Sequence, residues 1–137
     1  MARAKRFEYA ASVEPDGRLR GRDDSPLDLP EGWTPEHLVL AALGRCTLKS
    51  LSHHAERGGA AARGSARASG VVTKREGDGR FAFVEIACRL EVELDPAPAR
   101  EELAELLSRA ERDCFIGASL TVKPRYTWRV NGRAVSV

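Results

Sequence analysis

The sequence predicts an α+β fold from three observations: one long helical pattern in the first half, two hairpin signals rich in turn residues, and a strictly alternating strand past the middle. At 137 residues, with 42% hydrophobic and 31% charged, the chain suits one folded domain over 1–137 and is too apolar for global disorder. Lys and Arg number 22 against 20 for Asp and Glu, and the basic residues are scattered. A formal net charge of +2 therefore gives no electrostatic case for nucleic acid or an anionic membrane as a partner. No apolar stretch approaches the roughly 18 residues of a membrane span, and Met1–Arg6 is basic without the apolar run of a secretory signal. A cytoplasmic location is the expectation.

The first hairpin opens with a strand over Arg6–Val13, carrying Phe7, Tyr9 and Val13, and turns at Glu14-Pro15-Asp16-Gly17. Its return strand places Leu19, Leu27 and Leu29 on one parity and Arg18, Arg20 and Arg22 on the other, interrupted over Asp23–Pro26. Thr34-Pro35-Glu36-His37 is a helix start: Thr can cap, Pro fits the first helical position, and Glu suits the positive end. Leu38, Ala41, Ala42, Cys46, Leu48 and Leu51 then recur every three or four residues, predicting a largely buried helix to Arg57 that Gly58-Gly59 stops. Gly44, inside it, marks a candidate bend.

Val71-Val72-Thr73 and Phe81–Leu94 flank Glu76-Gly77-Asp78-Gly79-Arg80, the second hairpin. Along the later strand Ala82, Val84, Ile86, Cys88, Leu90, Val92 and Leu94 share the core face, and Glu85, Arg89, Glu91 and Glu93 the other. Asp95-Pro96-Ala97-Pro98 is expected to cap a second helix, whose stripe of Leu103, Leu106, Leu107 and Ala110 reaches Cys114. Val122–Val130 makes a last strand.

Three cysteines in a reducing compartment do not form a static disulfide framework. Strand alternation accounts for Cys88. Cys46 and Cys114 lie at helix positions in separate segments that a compact domain can bring together, which makes them a candidate redox pair, although a small buried hydrophobe explains each equally well. His37, His53 and His54 do not make a metal site, since adjacent helical residues point to different sides and no Cys or carboxylate cluster completes one. Nor can His53 serve Cys46 as a base, because seven helical residues separate them by about 10 Å. Tyr126, Trp128, Phe81, Phe83 and Phe115 are expected as core or subunit contacts, with Trp33 a candidate pocket residue.

The segment Thr34-Pro35-Glu36-His37-Leu38-Val39-Leu40-Ala41-Ala42-Leu43-Gly44-Arg45-Cys46-Thr47 resembles the cysteine helix of the OsmC/Ohr family, the osmotically inducible and organic hydroperoxide resistance proteins. A Pro-Glu pair opens that helix and the peroxide-reacting cysteine follows the Glu by ten positions, as Cys46 follows Glu36. The second family cysteine falls between the later helix and the last strand, as Cys114 does. The order of elements agrees over most of the chain. The resemblance implies an OsmC-like α+β fold, antiparallel sheets packed on a long central helix, in an intertwined homodimer with its active sites at the subunit interface.

It also implies a cysteine-based peroxidase acting on organic hydroperoxides. Cys46 becomes a sulfenic acid, Cys114 condenses with it to a disulfide, and a dithiol reductant reopens the bond, with the lipoyl proteins used by some relatives as candidates. Glu36 holds an activating arginine, to be found among Arg18, Arg20 and Arg22; Arg22 is chosen as nearest in sequence to the helix. No metal, haem or other cofactor is needed. A stress-associated binding protein of the same fold, without efficient turnover, is the competing expectation. Two departures bear on it: Phe115 stands where the family commonly has Pro, and Arg45 is bulkier than the residue usual before the cysteine. In a straight helix Glu36 and Cys46 are separated by about 15 Å along the axis and about 80° around it. Either Gly44 bends the helix or the partner subunit supplies Glu36, and the second alternative is favoured.

Overall fold

The computed structural model describes residues 4–136; Met1–Arg3, half of the basic stretch Met1–Arg6, and Val137 lie outside them. The chain divides into two compact units at the Pro35/Glu36 boundary.

In the first unit, β1 (Ser12–Val13), β2 (Leu19–Arg20) and β3 (Pro26–Leu27) form an antiparallel meander in that order. Gly17 takes φ 89° in the predicted first turn, whose Gly17 N–H donates to the Glu14 carbonyl at 2.9 Å. The strand expected over Arg6–Val13 shrinks to two residues. Phe7, Tyr9 and Val13 are 60%, 70% and 73% exposed in the single chain, so their alternation does not mark a buried face of the first unit. The return strand is also corrected, because the interruption is a reversal. A 3-10 turn at Arg22–Asp24, with Asp23 and Asp24 at positive φ, sends β3 back along β2 and sets Leu27 opposite Leu19.

The second unit starts with the long helix α1 (Pro35–Arg57), which begins at the predicted proline. It ends in a Schellman arrangement: Gly59, at φ 86°, donates to the Glu56 carbonyl at 3.0 Å and Ala60 to that of Ala55 at 2.9 Å. Its buried face is Leu43, Gly44, Thr47, Ser50, Leu51 and Ala55. This stripe differs from the expected one: Ala41 is exposed, and Leu38, Ala42, Cys46 and Leu48 are half-buried. Within one chain a helix covers one face against the sheet, and the small residues of that face select it. Gly44 does not bend α1. A Cβ there would lie 3.1 Å from the Ala66 Cβ, so the glycine lets the helix press against the next strand.

That strand, β4 (Ala61–Lys74), pairs antiparallel with β5 (Phe81–Asp95) through the predicted hairpin, with a bulge at Val71/Val72. β4 begins ten residues before the expected Val71. The helices α2 (Arg100–Arg112) and α3 (Phe115–Ser119) then lead to β6 (Arg125–Val130) and β7 (Arg133–Val135). The sheet order is β4-β5-β6-β7. The α+β class stands, and the sheet is antiparallel except that β6 runs parallel to β5. The two helices between those strands permit this, since a parallel neighbour requires a crossover.

α2 lacks its expected cap: Ala99 occupies the N-cap position with no side-chain bond, and Asp95 instead pairs with Ala61 at the end of β5. The expected last strand from Val122 starts at Arg125, and β7, which was not anticipated, follows Asn131-Gly132, at φ 49° and 81°. Asn131 also ties this turn to β5, accepting from Leu94 N–H at 3.0 Å and donating to its carbonyl at 3.3 Å. The core joins Leu43, Leu51 and Ala55 of α1 to Ile86, Leu90, Val92 and Leu94 of β5, Leu107 and Ala110 of α2, and Trp128 and Val130 of β6. The alternation read along β5 holds. Trp128 is core as expected, whereas Phe81 and Phe115 are 70% and 54% exposed in the single chain.

Candidate functional site

α1 carries Cys46 half-buried, one residue before the buried Thr47. The corner between α2 and α3 brings Cys114 to the same place. Cys114 caps α3, its sulfur accepting from the Gly117 N–H at 3.4 Å, and it is completely buried. Thr47 Oγ1 lies 3.4 Å from the Cys114 sulfur and 2.9 Å from the Leu43 carbonyl. All three cysteines are free thiols. Cys46 and Cys114 are neighbours: burial, first of all, pushes the Cys46 thiol up, and its hydrogen bond with Cys114 adds to this. The backbone N–H groups of Ile116 and Phe115 act in the opposite direction. A proline at position 115 would have no such N–H.

A second tie fixes the corner. His54 Nε2 on α1 lies 2.8 Å from Asp113 Oδ2, next in sequence to Cys114. Arg112 and then His54 hold the Asp113 carboxyl at about 2. His54, considered above for metal, thus anchors the segment that carries Cys114. Among the described residues, no group of three or more His, Cys, Asp or Glu side chains is placed to hold a metal ion.

Cys88 lies on the core face as expected, but it also adjoins the pair. Burial raises its thiol to about 11, the Cys114 charge adds to this, and the nearby Thr47 hydroxyl opposes it. Opposite Cys88 in the ladder is Tyr126, whose hydroxyl is buried and makes no hydrogen bond among the described residues. Alternation places Cys88 and Tyr126 on one face but says nothing of what faces them across the core. The signal for Thr47 was its adjacency to Cys46; for Tyr126 it was the parity it shares with Trp128 and Val130.

The structure does not bring the other two predicted residues to this site within the second unit. Glu36 is exposed in the first turn of α1, and the helix runs without interruption from Pro35 to Arg57, so the separation of about 15 Å along the axis stands. Arg22 lies in the first unit, exposed at the 3-10 turn. There Arg18 pairs with Asp28 at 2.6 Å and Arg20 with Glu14 at 2.9 Å, so among the described residues Arg22 alone of the three has no carboxylate partner.

A four-stranded sheet covered on one face by a long helix, with two thiols gathered where a second helix ends, defines an α+β chain with a buried thiol pair. The family model for OsmC-like proteins matches residues 28–129, and the chain belongs to that family. Among solved structures it is similar to an OsmC-like protein of unknown function from Vibrio cholerae, at 16% identity and a TM-score of 0.71 over 90% of this chain and 99% of that one. It is also similar to an OsmC-like protein from Mycoplasma pneumoniae, at 16% identity and 0.68 over 92% and 97%. The organic hydroperoxide resistance protein of Bacillus subtilis aligns at 21% identity and 0.57, over 89% and 98%. At these identities the likenesses show the fold. No curated protein matches the chain. Among the described residues, no helix is long and apolar enough to cross a membrane.

Proposed function

We propose that this chain is a thiol peroxidase for organic hydroperoxides, with Cys46 as the thiol that meets the peroxide and Cys114 as the one that resolves it. The contact between a half-buried Cys46 and a fully buried Cys114 carries this reading, because it orders the two roles by access. The Cys46 thiolate attacks the distal peroxide oxygen, the O–O bond breaks, the alkoxide leaves as an alcohol with the proton that the Cys46 thiol gave up on ionising, and Cys46 becomes a sulfenic acid. The Cys114 sulfur then attacks the Cys46 sulfur, the S–O bond breaks, and the hydroxyl leaves as water with the Cys114 proton. A dithiol reopens the disulfide by exchange. The Ile116 and Phe115 N–H groups favour charge on Cys46.

Among the described residues, the groups that shift the Cys46 thiol are Cys114 and the Ile116 and Phe115 backbone, none of them a cation. That observation favours the competing reading, a binding protein of this fold without efficient turnover, unless a cation is supplied from elsewhere. In the peroxidase reading the guanidinium of Arg22 supplies it, held by Glu36, with Glu36 contributed by a second copy of the chain because the straight α1 keeps it from its own Cys46. A homodimer is therefore expected, and sedimentation at micromolar concentration should give twice the mass of one chain; a stable single-chain mass would remove the supply of Glu36.

The deciding experiment adds one equivalent of cumene hydroperoxide to the reduced protein and maps the peptides. A linkage between Cys46 and Cys114, reopened by a dithiol with continued peroxide consumption, is the expected result. Sulfinate at Cys46 with Cys114 still free would leave a protein that does not turn over peroxide by this cycle.

A further inference from the structure

The Tyr126 hydroxyl is buried in the core without a hydrogen bond among the described residues, although tyrosine hydroxyls that enter a core usually find a partner. It lies in a niche that a glycine creates. A Cβ at Gly117 would fall 2.7 Å from the Tyr126 hydroxyl and 3.5 Å from the Cys114 sulfur, so both groups border the space that the missing side chain leaves. Cys114 is modestly served at rest: by Cys46, by the Gly117 N–H at 3.4 Å, and by Thr47 Oγ1 at 3.4 Å, whose one proton is shared with the Leu43 carbonyl at 2.9 Å. This is sufficient for a thiol, a weak hydrogen-bonding group, and insufficient for a buried thiolate.

We propose that the Tyr126 hydroxyl is a donor held in reserve for the Cys114 sulfur, stabilising its negative charge as it attacks Cys46. Tyr126 is thus a positioning residue that acts on the reaction through Cys114. The inference rests on the thiol-peroxidase reading for its biological setting, and its chemistry applies to any attack of Cys114 on an oxidised Cys46. The titratable groups around the niche are Cys46 from α1, Cys88 from β5, Glu111 from α2 and Tyr126 from β6, none of them a cation. Glu111 is engaged by the Trp128 indole N–H at 2.8 Å. Burial first of all holds Tyr126 above the ordinary phenol range, the nearby Thr47 hydroxyl opposes this and the adjacent thiols add to it, so Tyr126 is present as a neutral donor. The proton of Tyr126 stays in place; the electron pair that forms the new S–S bond comes from Cys114.

The test uses the full chain carrying Cys88→Ser, with and without Tyr126→Phe. The aromatic disulfide 5,5′-dithiobis(2-nitrobenzoate) converts Cys46 to a mixed disulfide and releases one coloured thiolate. Attack of Cys114 on the Cys46 sulfur then releases the second, at a rate read directly and without peroxide. Loss of one donor to a charged sulfur should slow that second release by about tenfold and move its rise with pH to higher pH. The melting temperature should hold or increase, since an unsatisfied buried hydroxyl has been removed. Equal rates and pH profiles in the two chains overturn the proposal, as does a slower release accompanied by a lower melting temperature, which marks a structural role. No second release from the parent chain also overturns it, because Cys114 then does not reach Cys46. If the parent releases the second thiolate yet consumes no cumene hydroperoxide, the peroxidase reading fails and the assignment of Tyr126 is decided by the two rates alone.

Discussion

Cys46→Ser should reduce hydroperoxide-dependent oxidation of a dithiol to the level without protein, whereas Cys88→Ser should retain it. The two residues differ in their position and not in their chemistry. Cys46 is half-buried, and its sulfur is faced by two backbone N–H groups that favour the thiolate; Cys88 is 1% exposed, with a thiol that burial raises to about 11. A peroxide oxygen must reach the attacking sulfur, and a thiolate must be populated there. Cys46 meets the first condition in a way that Cys88 does not. Serine at 88 places a hydroxyl among the apolar side chains of Ile86 and Leu90, beside Cys114 and Thr47, at a cost of about 1–3 kcal/mol in stability. The Cys88→Ser chain should therefore melt earlier and still turn over. Steady-state peroxide consumption with the two variants, each shown to be folded by circular dichroism, checks the assignment; equal loss in both would remove the distinction between them.

How far such a site could be read from sequence follows from what periodicity encodes. β5 was legible because its apolar residues alternate with charges, and α1 because a proline start and a paired-glycine stop bracket a helical pattern. The first ten residues of β4, Ala61–Gly70, were not legible. Ala, Gly, Ser and Arg have little strand preference, and the segment is extended because β5 offers it a full ladder on one side and α1 presses on it at Gly44. The face of α1 was misjudged for a related reason: sequence shows which residues are apolar, whereas the close Gly44–Ala66 approach decides which are covered. The thiol pair was a candidate from its helix positions, and the resemblance favoured it over the reading of two small buried hydrophobes. Its surroundings were not anticipated, since Thr47, Cys88 and Tyr126 come from three elements whose meeting is a property of the packed core. The β6–β7 turn carried its signal openly in Asn131-Gly132.

Gly64→Val should destabilise the chain strongly, although strand propensity alone predicts the opposite. Valine is among the best strand formers and glycine among the poorest, a difference of up to about 1 kcal/mol in favour of the substitution. The geometry at Gly64 opposes it. This glycine stands opposite Val92 in the β4–β5 ladder, and a Cβ built on it would lie 2.4 Å from the Glu91 carbonyl oxygen and 2.7 Å from the Val92 Cα. Both are backbone atoms of a central strand, held by β4 on one side and β6 on the other, and they cannot move aside as the end of a flexible side chain can. The two further methyl groups of valine enlarge the clash. Forcing such a group into a packed site costs typically about 1–3 kcal/mol, and here the obstacle is ladder backbone, so the upper end applies. For a domain of this size that corresponds to a fall in melting temperature of about ten degrees. Gly77, in the β4–β5 turn, provides the control: a Cβ there meets nothing within 4 Å, and Gly77→Ala should leave the melting temperature within about two degrees of the parent. Thermal unfolding of the three chains side by side settles which effect wins, and a Gly64→Val chain as stable as the parent would mean that the approach of β4 to β5 is looser than this ladder requires.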